Sequence, residues 1–433
     1  MKITSLIFYL LVFFLSSQVG FHFWPKFAYI NGVRVDYLSP TLYLIDILTV
    51  LFILFSVPRL LKNKINFAKN HFLKILFLLF ILDLILNIFL SKSPGAHIFG
   101  LIKLGEFGVL GWLVAKTFTK RDIPLFVRTL SLSAIVSSVL AIWQFINQSS
   151  VGGLWYFLGE RTFNSSTIGI STVNLDHQIL RAYGAFPHPN VAAFFFLAAT
   201  IFTVLRLPYE KSSRWKIFLI AAIVFSTLGL VVTFSRISIF LAVIFFLYYF
   251  LRQMAKHTRM LILGAISGIL GGLGILAAGP EGLWPGGGFL SSTFLLRGID
   301  FREELFAQSL KIFSENPYFG IGLNNFFVHQ ASLIKTISPI AFQPPHNIFV
   351  LALLSLGLFG WWIVPLVFYK GILRVVGKVR ESKGEIREFY RSILFVLVSI
   401  IVVGIFDHFF LTVEQGQLML ALVLGLSFVR FKI

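Results

Sequence analysis

The sequence predicts an all-α, polytopic membrane protein with about twelve transmembrane helices. Hydrophobic residues make up 57% of the 433 residues and charged residues only 13%, whereas ordinary globular domains contain about a quarter charged residues. The mean hydropathy is +0.87. Apolar stretches recur along the chain, many of them close to the roughly 20 residues that cross a bilayer core. We therefore expect a single integral membrane domain over residues 1–433.

The apolar stretches define the predicted spans in order. The first could be the apolar region of a signal peptide, but no small-residue cleavage site follows it, so we interpret it as an uncleaved span. The fourth is the weakest, because Lys103 and Glu106 interrupt it. The twelve predicted spans lie near residues 4–24, 39–58, 72–91, 97–115, 125–146, 189–207, 216–233, 236–251, 260–279, 346–369, 390–411 and 415–431.

The charge distribution predicts the orientation. The chain has 37 Lys and Arg residues against 18 Asp and Glu, a net charge of +19, which in a soluble protein would suggest nucleic-acid binding. Most of these basic residues fall in alternate loops, as the positive-inside rule requires when both termini are cytoplasmic. The excess is thus explained by topology and by contact with anionic membrane lipids, and we expect no nucleic-acid partner. The absence of cysteine excludes disulfides and Cys-ligated metals.

Two predicted external segments, about 147–188 and 280–345, are long enough to carry function, and we expect them to roof an active site. Within the second, residues 299–314 place apolar side chains on one helical face. This pattern predicts an amphipathic helix, with a capping box beginning at Asp300. The helix would lie either on the outer membrane surface or against the bundle.

Arginines are scarce in the predicted external segments, so each is a candidate anion site. Arg181 lies just before the sixth span, close to His188 and Asn190, which could support it. The alternative is a turn with an arginine that snorkels to the interface. Arg236 borders the eighth span, where a cation opposes the helix dipole unless an anion is near. A salt bridge to an external carboxylate is the alternative.

Arg297 precedes the predicted amphipathic helix, and Arg302 lies within it. Basic residues near a helix N-terminus suit a pyrophosphate. Glu303 and Glu304 could pair with Arg302 instead, so we favour Arg297.

His346 is the sharpest candidate for a catalytic group. It follows Pro344 and Pro345, which cannot lie inside a helix and therefore fix the start of the tenth span. The helix dipole at this N-terminus disfavours an imidazolium ion, so His346 should be neutral and available as a base, with Asn347 as a possible supporting residue. Asp407, His408 and Glu414 cluster at the end of the eleventh span, where they either assist the site or pair with one another.

Several common site patterns are missing from the sequence. The predicted external segments contain no D-x-D or E-x-D pair for a divalent metal beside a sugar phosphate. The chain also lacks the P-loop, nucleophile-elbow and H-E-x-x-H motifs. We therefore expect neither a metal nor a cofactor.

The pattern His346-Asn347, nine residues, then Gly357-Leu-Phe-Gly360 resembles the signature of the O-antigen ligase and O-antigen polymerase superfamily. Three other blocks resemble the same family in the same order: 181–190, 233–236 and 316–326. The resemblance covers roughly residues 175–365 and is specific for the superfamily rather than for one member.

This resemblance implies a bacterial inner-membrane glycosyltransferase of surface-polysaccharide or lipopolysaccharide biosynthesis. It implies a C-type fold, a metal-independent inverting reaction on the periplasmic face, and a glycan donor on undecaprenyl pyrophosphate. The acceptor would be a lipid A core sugar in ligases, another lipid-linked glycan in polymerases, or a protein in O-oligosaccharyltransferases. We expect His346 to be the base, and infer that Arg181, Arg236 and Arg297 hold the pyrophosphate.

Two alternatives from other classes stay open at the level of sequence. A transporter or flippase of lipid-linked glycans also predicts twelve spans, but it would place ionisable groups near the midplane, together with paired broken helices. Asp83, Lys103 and Glu106 are the main midspan candidates. A non-catalytic scaffold of an envelope assembly complex is the third possibility.

Overall fold

A computed structural model describes residues 3–60, 71–175, 177–254, 292–334 and 342–431. These residues are mostly helical, which agrees with the predicted class. The helices are α1 Ile3–Phe13, α2 Leu44–Leu60, α3 His71–Leu90, α4 Pro94–Thr117, α5 Ile123–Asn147, α6 Leu154–Phe157, α7 Pro189–Arg206, α8 Ser213–Val232, α9 Arg236–Gln253, α10 Ser292–Glu315, α11 Phe326–Gln330, α12 Ile348–Gly360, α13 Ile363–Glu381, α14 Gly384–Phe406, α15 Phe409–Thr412 and α16 Glu414–Ser427.

Six of the described helical segments are long and apolar enough to cross a membrane, or seven if the bent pair α12–α13 counts as one span. Two predicted spans correspond instead to shorter apolar helices, Ile3–Ser16 and Leu44–Ser56. The predicted span at 260–279 lies outside the described residues. The helices indicate an integral membrane protein, and the twelve-span topology with cytoplasmic termini stays a prediction.

Short hairpins interrupt the helical pattern, which the all-α prediction did not include. They occupy the chain between α1 and α2 and the long segment between α6 and α7. The strands are β1 Gly20–His22, β2 Tyr29–Ile30, β3 Val33–Arg34, β4 Thr41–Tyr43, β5 Thr172–Leu175 and β6 His177–Leu180, paired antiparallel as β1–β4, β2–β3 and β5–β6.

Helix α7 forms the centre of the bundle. It is apolar on every side, which is typical of a helix surrounded by other helices, and its residues from Val191 to Arg206 are all buried. Helices α5, α8, α9 and α14 pack around it. The packed helix therefore fixes the position of the residues just before it, including His188.

Glycines allow two helix pairs to approach closely. A Cβ on Gly229 of α8 would lie 2.6 Å from Ser138 Oγ of α5, and a Cβ on Gly111 of α4 would lie 2.9 Å from the Ala421 carbonyl oxygen of α16. Small residues at such contacts are how membrane helices pack without a hydrophobic driving force between them.

The predicted tenth span, 346–369, is not one straight helix. The chain bends by 103° between α12 and α13, and Gly357 has a positive φ of 57° near the end of α12. Beside this break runs the segment 317–322, which we call the crossing segment. The backbone N–H of Leu358 donates to the Pro317 carbonyl at 2.9 Å, and that of Ile321 donates to Leu354 at 2.9 Å.

The crossing segment connects α10 to the rest of the bundle. A side chain at Gly357 would collide with the Tyr318 carbonyl, so the glycine of the family-like motif is required for this backbone contact. The next residues are tied to α3 and α4, because Leu323 N–H donates to His97 Nδ1 at 2.8 Å and His97 Nε2 bonds the Leu84 carbonyl at 2.9 Å. The 316–326 motif is thus a structural junction.

Helix α10 differs from its prediction in two respects. It begins at Ser292, before Asp300, so the capping-box interpretation of Asp300 is wrong. The helix turns Leu305 and Ile312 inward, whereas Phe306 and Leu310 of the predicted apolar face are exposed. One side therefore packs on the bundle and the other presents apolar side chains outward.

Candidate active site

His346 lies immediately before α12, as the two prolines predict. Asn347 caps the helix through its side-chain Oδ1, which accepts from the backbone N–H of Phe349 at 2.8 Å and of Val350 at 3.1 Å. Asn347 therefore fixes the helix start, and a supporting role at the site stays a prediction. His346 Nδ1 is buried and has no hydrogen-bond partner among the described residues.

Asp407 and His408 meet His346 from the end of α14. The His346 and His408 rings lie 5.0 Å apart between centroids. A ring nitrogen of each histidine and a carboxylate oxygen of Asp407 lie within 4.8 Å of one another. Asp407 follows Phe406 in extended conformation, so helix α14 ends where the carboxylate turns toward the histidines.

A chain of hydrogen bonds connects this group to Arg181. Arg181 Nη2 donates to Asn190 Oδ1 at 2.6 Å, and Asn190 Nδ2 donates to Asp407 Oδ2 at 2.7 Å. Arg181 Nε also donates to the Thr233 carbonyl at 2.8 Å, which places the arginine beside the turn that precedes Arg236. The predicted blocks 181–190 and 233–236 and the motif that begins at His346 thus meet at one end of the bundle.

His188 has a local structural role in this group. Its Nδ1 accepts from the backbone N–H of Asn190 at 3.2 Å and so caps α7, while Nε2 lies 3.1 Å from Ser171 Oγ. These contacts assign the proton to Nε2. Burial and, after it, the positive charge on Arg181 lower the pKa of His188 to about 4, so the ring is neutral at pH 7.

Burial also lowers the pKa of His346, against the raising effect of Asp407 and with the help of the positive charge on Arg302. Burial lowers the pKa of His408 to about 3. For Asp407, burial raises the pKa, but the histidines and the Asn190 amide outweigh it, and the net pKa lies below the usual value. The site thus combines an ionised carboxylate with neutral imidazoles, the protonation states that general-base catalysis needs.

The four predicted arginines differ in their position and in their electrostatic effect on His346. Arg181 stays cationic at pH 7, since burial lowers the pKa only to about 10, and both Asp407 and Arg236 influence that value. Arg236 is the first residue of α9. Arg302 acts electrostatically on His346 and has no ion pair with a glutamate among the described residues, contrary to the pairing that sequence analysis allowed. Arg297 lies in α10, but its side chain is outside the described part.

His188, His346, Asp407 and His408 line a cavity of about 2520 Å³. This is larger than the roughly 300–1,000 Å³ of pockets for small ligands. Tyr37 and Arg161 also line this cavity, and the rest of its lining mixes apolar side chains such as Trp112 and Phe428 with charged ones such as Lys103 and Arg374. Arg181 is not part of the lining. One large space therefore has both polar and apolar side chains on its walls.

His346, Asp407 and His408 form a possible metal-ligand set of two imidazoles and one carboxylate. Several of their atoms already have protein partners. Asp407 Oδ1 accepts from His408 N–H at 2.7 Å, Oδ2 accepts from Asn190, and His408 Nδ1 lies 2.6 Å from Thr412 Oγ1. Metal independence stays a prediction, to be tested by chelation.

The midspan charges identified in the sequence are partly neutralised by pairing. Lys103 Nζ lies 2.6 Å from Asp46 Oδ1, 3.1 Å from Glu414 Oε2 and 3.4 Å from Glu106 Oε2. Glu414 therefore pairs with Lys103 and not with Asp407 or His408. No pattern in the sequence predicts this pairing, because Asp46 and Glu414 belong to the first turns of α2 and α16, which are far apart along the chain.

Two residues of this cavity were not among the predicted site residues: Asp407, which could assist the site or form a structural pair, and Arg161. The only sequence signal for Asp407 is its place directly after an apolar span and before His408. Arg161 lies in the long segment between α6 and α7, where its Nη1 donates to the Pro187 carbonyl at 3.2 Å.

Comparison with protein families finds a match between residues 221–364 and the family described as O-antigen ligase. The matched segment begins in α8 and ends just after the break at α12–α13, so it includes Arg236, Arg302 and His346. Arg181, Asn190 and Asp407 lie outside it. None of the curated proteins matches the chain.

Proposed function

We propose that the chain, which matches the O-antigen ligase family over residues 221–364, is a member of the O-antigen ligase and O-antigen polymerase superfamily and transfers a glycan from undecaprenyl pyrophosphate to an acceptor hydroxyl. It would do so as an O-antigen ligase-like, C-type glycosyltransferase, at the external face of the bacterial inner membrane. The product would be a surface polysaccharide or lipopolysaccharide.

One observation supports this proposal above the others. The hydrogen-bonded series Arg181–Asn190–Asp407 ends beside His346 in a large cavity lined by polar and apolar side chains. A base for a hydroxyl, a cation in the lining (Arg161) and apolar side chains for a prenyl chain therefore occur together. These are the three features that a lipid-pyrophosphate donor and a hydroxyl acceptor need.

In the proposed reaction, His346 is the general base. The acceptor oxygen attacks the anomeric carbon of the donor sugar while a ring nitrogen of His346 removes its proton. Asp407 stabilises the imidazolium that forms, since an ionised carboxylate favours the cationic partner. A single displacement of this kind inverts the anomeric centre.

The bond between the anomeric carbon and the phosphate oxygen breaks in the same step, and its electron pair leaves with undecaprenyl pyrophosphate. Arg181, Arg236 and Arg297 would bind the two phosphates and stabilise the charge that develops on the leaving oxygen. The electrostatic effect of Arg302 on His346 makes it a further member of this group. Fixed guanidinium groups suit this task because they bind phosphate oxygens in pairs.

Polymerase and protein O-oligosaccharyltransferase activities are the alternatives within the superfamily. They use the same donor chemistry and differ in whether the acceptor hydroxyl belongs to a lipid-linked glycan or a protein. A flippase is the alternative from another class. The bent pair α12–α13 fits it in part, but Lys103 is already paired with three carboxylates.

The test uses purified protein in nanodiscs with undecaprenyl-pyrophosphate-linked glycan and three separate acceptors: lipid A core, a second lipid-linked glycan, and a serine-containing protein. We expect a product whose glycan equals one donor unit on lipid A core. A ladder of lengthening lipid-linked chains would instead indicate a polymerase, and glycosylated protein an oligosaccharyltransferase.

The decisive control is the fate of the lipid carrier. Release of undecaprenyl pyrophosphate that depends on acceptor supports transfer. Movement of intact donor across a vesicle membrane without cleavage of the glycan would contradict the proposal and favour the flippase.

A further inference from the structure

A buried carboxylate in α3 has no part in the site described above. Asp83 is 1% exposed, and within the described part of the chain neither of its carboxylate oxygens has a hydrogen-bond partner. Among the described residues, no lysine, arginine or histidine forms an ion pair with it. An isolated ionised group in an apolar interior is strongly destabilising, so an ionised Asp83 needs a positive charge beside it.

A second unpartnered oxygen lies one helical turn away. Asn87 is 0% exposed, and its Nδ2 donates to the Asp83 carbonyl at 3.1 Å and to the Phe319 carbonyl at 2.8 Å. Its Oδ1 has no partner in the segments that the structure describes. The amide is thus held by its nitrogen, while its oxygen, like both oxygens of Asp83, is left as an unused acceptor.

These oxygens lie where three elements of the chain meet. The crossing segment reaches Asn87 through Phe319, and a Cβ on Gly360 would lie 2.8 Å from Asp83 Oδ2. The broken end of α12 therefore lies directly against the carboxylate. The C-terminal end of a helix carries partial negative charge, which disfavours a bare carboxylate there and favours a cation.

We propose that Asp83 and Asn87 bind a monovalent cation, Na⁺, which locks the crossing segment and the α12–α13 break against α3. A protonated Asp83 that donated to Asn87 Oδ1 would satisfy one free acceptor, but its second carboxyl oxygen would stay without a partner. A cation accepts all three free oxygens as ligands, and main-chain carbonyls at broken membrane helices are typical further ligands for Na⁺. A single carboxylate with a neutral amide matches a single positive charge.

The binding site can be tested without any enzymatic assay. Purified protein in nanodiscs is melted in NaCl and in choline chloride of equal ionic strength. We expect Na⁺ to raise the melting temperature by several degrees in the wild type, as a ligand that binds only the folded state does. Asp83→Asn should abolish the shift, and Glu315→Gln, which changes an exposed acid, should retain it.

A second measurement covers the case in which Asp83→Asn fails to fold. Wild-type protein is titrated with ²²Na⁺, and Asn87→Leu is compared with it. Saturable binding that unlabelled Na⁺ displaces and choline does not, weakened at least tenfold by Asn87→Leu, supports the site. Absence of saturable binding would overturn the proposal. A wild-type melting temperature that does not change with Na⁺ but rises on acidification would also overturn it, because Asp83 would then hold a proton.

Discussion

At the scale of single residues, the chemistry depends on how neighbouring charges set the protonation of His346. Burial lowers its pKa, Asp407 raises it and Arg302 lowers it. His346 can accept a proton only when neutral. The rate should therefore be retained at neutral pH and lost as the pH falls through this lowered pKa, below the usual value of about 6.5.

Arg302→Ala is predicted to move the acid limb of kcat/KM to higher pH. Removing the positive charge removes one cause that lowers the pKa of His346, so protonation begins at a higher pH. The measurement is the pH profile of glycan transfer by the purified variant.

Arg302→Lys is the matched control, since it keeps the charge and should keep the wild-type acid limb. An acid limb that shifts equally in both variants would show that the shape of the side chain matters, and not its charge.

Asn190→Ala is predicted to lower kcat by roughly 10- to 100-fold, the cost of leaving buried polar partners unsatisfied. Arg181 Nη2 and Asp407 Oδ2 would both lose the amide that joins them. Asn190→Asp tests the same link differently, because it retains an acceptor for Arg181 but places a second carboxylate beside Asp407. Rates of both variants close to wild type would contradict a positioning role for Asn190.

Some of these residues were predictable and others were not. The two prolines before His346 identify a helix start from sequence alone, and the start is where they predict it. The link between Asn190 and Asp407 was not predictable, because it joins the first turn of α7 to the end of α14. Only the packing of α7 against α14 brings them together.

At the scale of elements, the break between α12 and α13 determines how His346 is held. Helix α12 carries His346 at its start and is fixed at its end by the crossing segment. The sequence contains a signal for this break, since Gly357 and Gly360 are followed closely by Pro365. The continuous apolar stretch over the same residues nevertheless predicted a single span, 346–369.

Gly357→Ala is predicted to destabilise the protein by at least about 1–3 kcal/mol, the cost of a non-glycine residue in such a backbone conformation. The added methyl group would also collide with the Tyr318 carbonyl. The measurement is the melting temperature in nanodiscs.

Gly377→Ala in α13 is the matched control. A Cβ at Gly377 meets nothing within 4 Å, and alanine favours helix, so this variant should be as stable as the wild type or slightly more stable. Equal stability of the two variants would contradict the account of the break.

At the scale of the whole molecule, the excess of Lys and Arg predicts which side of the membrane each loop occupies. The chain contains no cysteine, so each introduced cysteine reports on one position. Glu315→Cys lies in a predicted external segment and Arg214→Cys and Glu381→Cys in predicted cytoplasmic loops. An impermeant maleimide should label Glu315→Cys in intact spheroplasts and the other two only after permeabilisation.

Labelling of Glu381→Cys from outside would contradict the predicted orientation. Counting the spans requires the same labelling at further loops. Six of the described helices are long and apolar enough to cross a membrane, or seven with the bent pair, which is fewer than the twelve predicted. Composition predicts membrane insertion well. It predicts span boundaries less well where hairpins, as between α1 and α2, shorten the helices.

The most direct test of the central claim is the release of undecaprenyl pyrophosphate from a lipid-linked glycan by purified wild type and His346→Ala, each with acceptor and with EDTA. The account predicts acceptor-dependent release by the wild type that EDTA leaves unchanged, and a loss of about 10²–10⁴-fold in His346→Ala with the melting temperature retained. Release by a folded His346→Ala variant at the wild-type rate would contradict the assignment of the base, and loss of wild-type release in EDTA would contradict the metal-independent reaction.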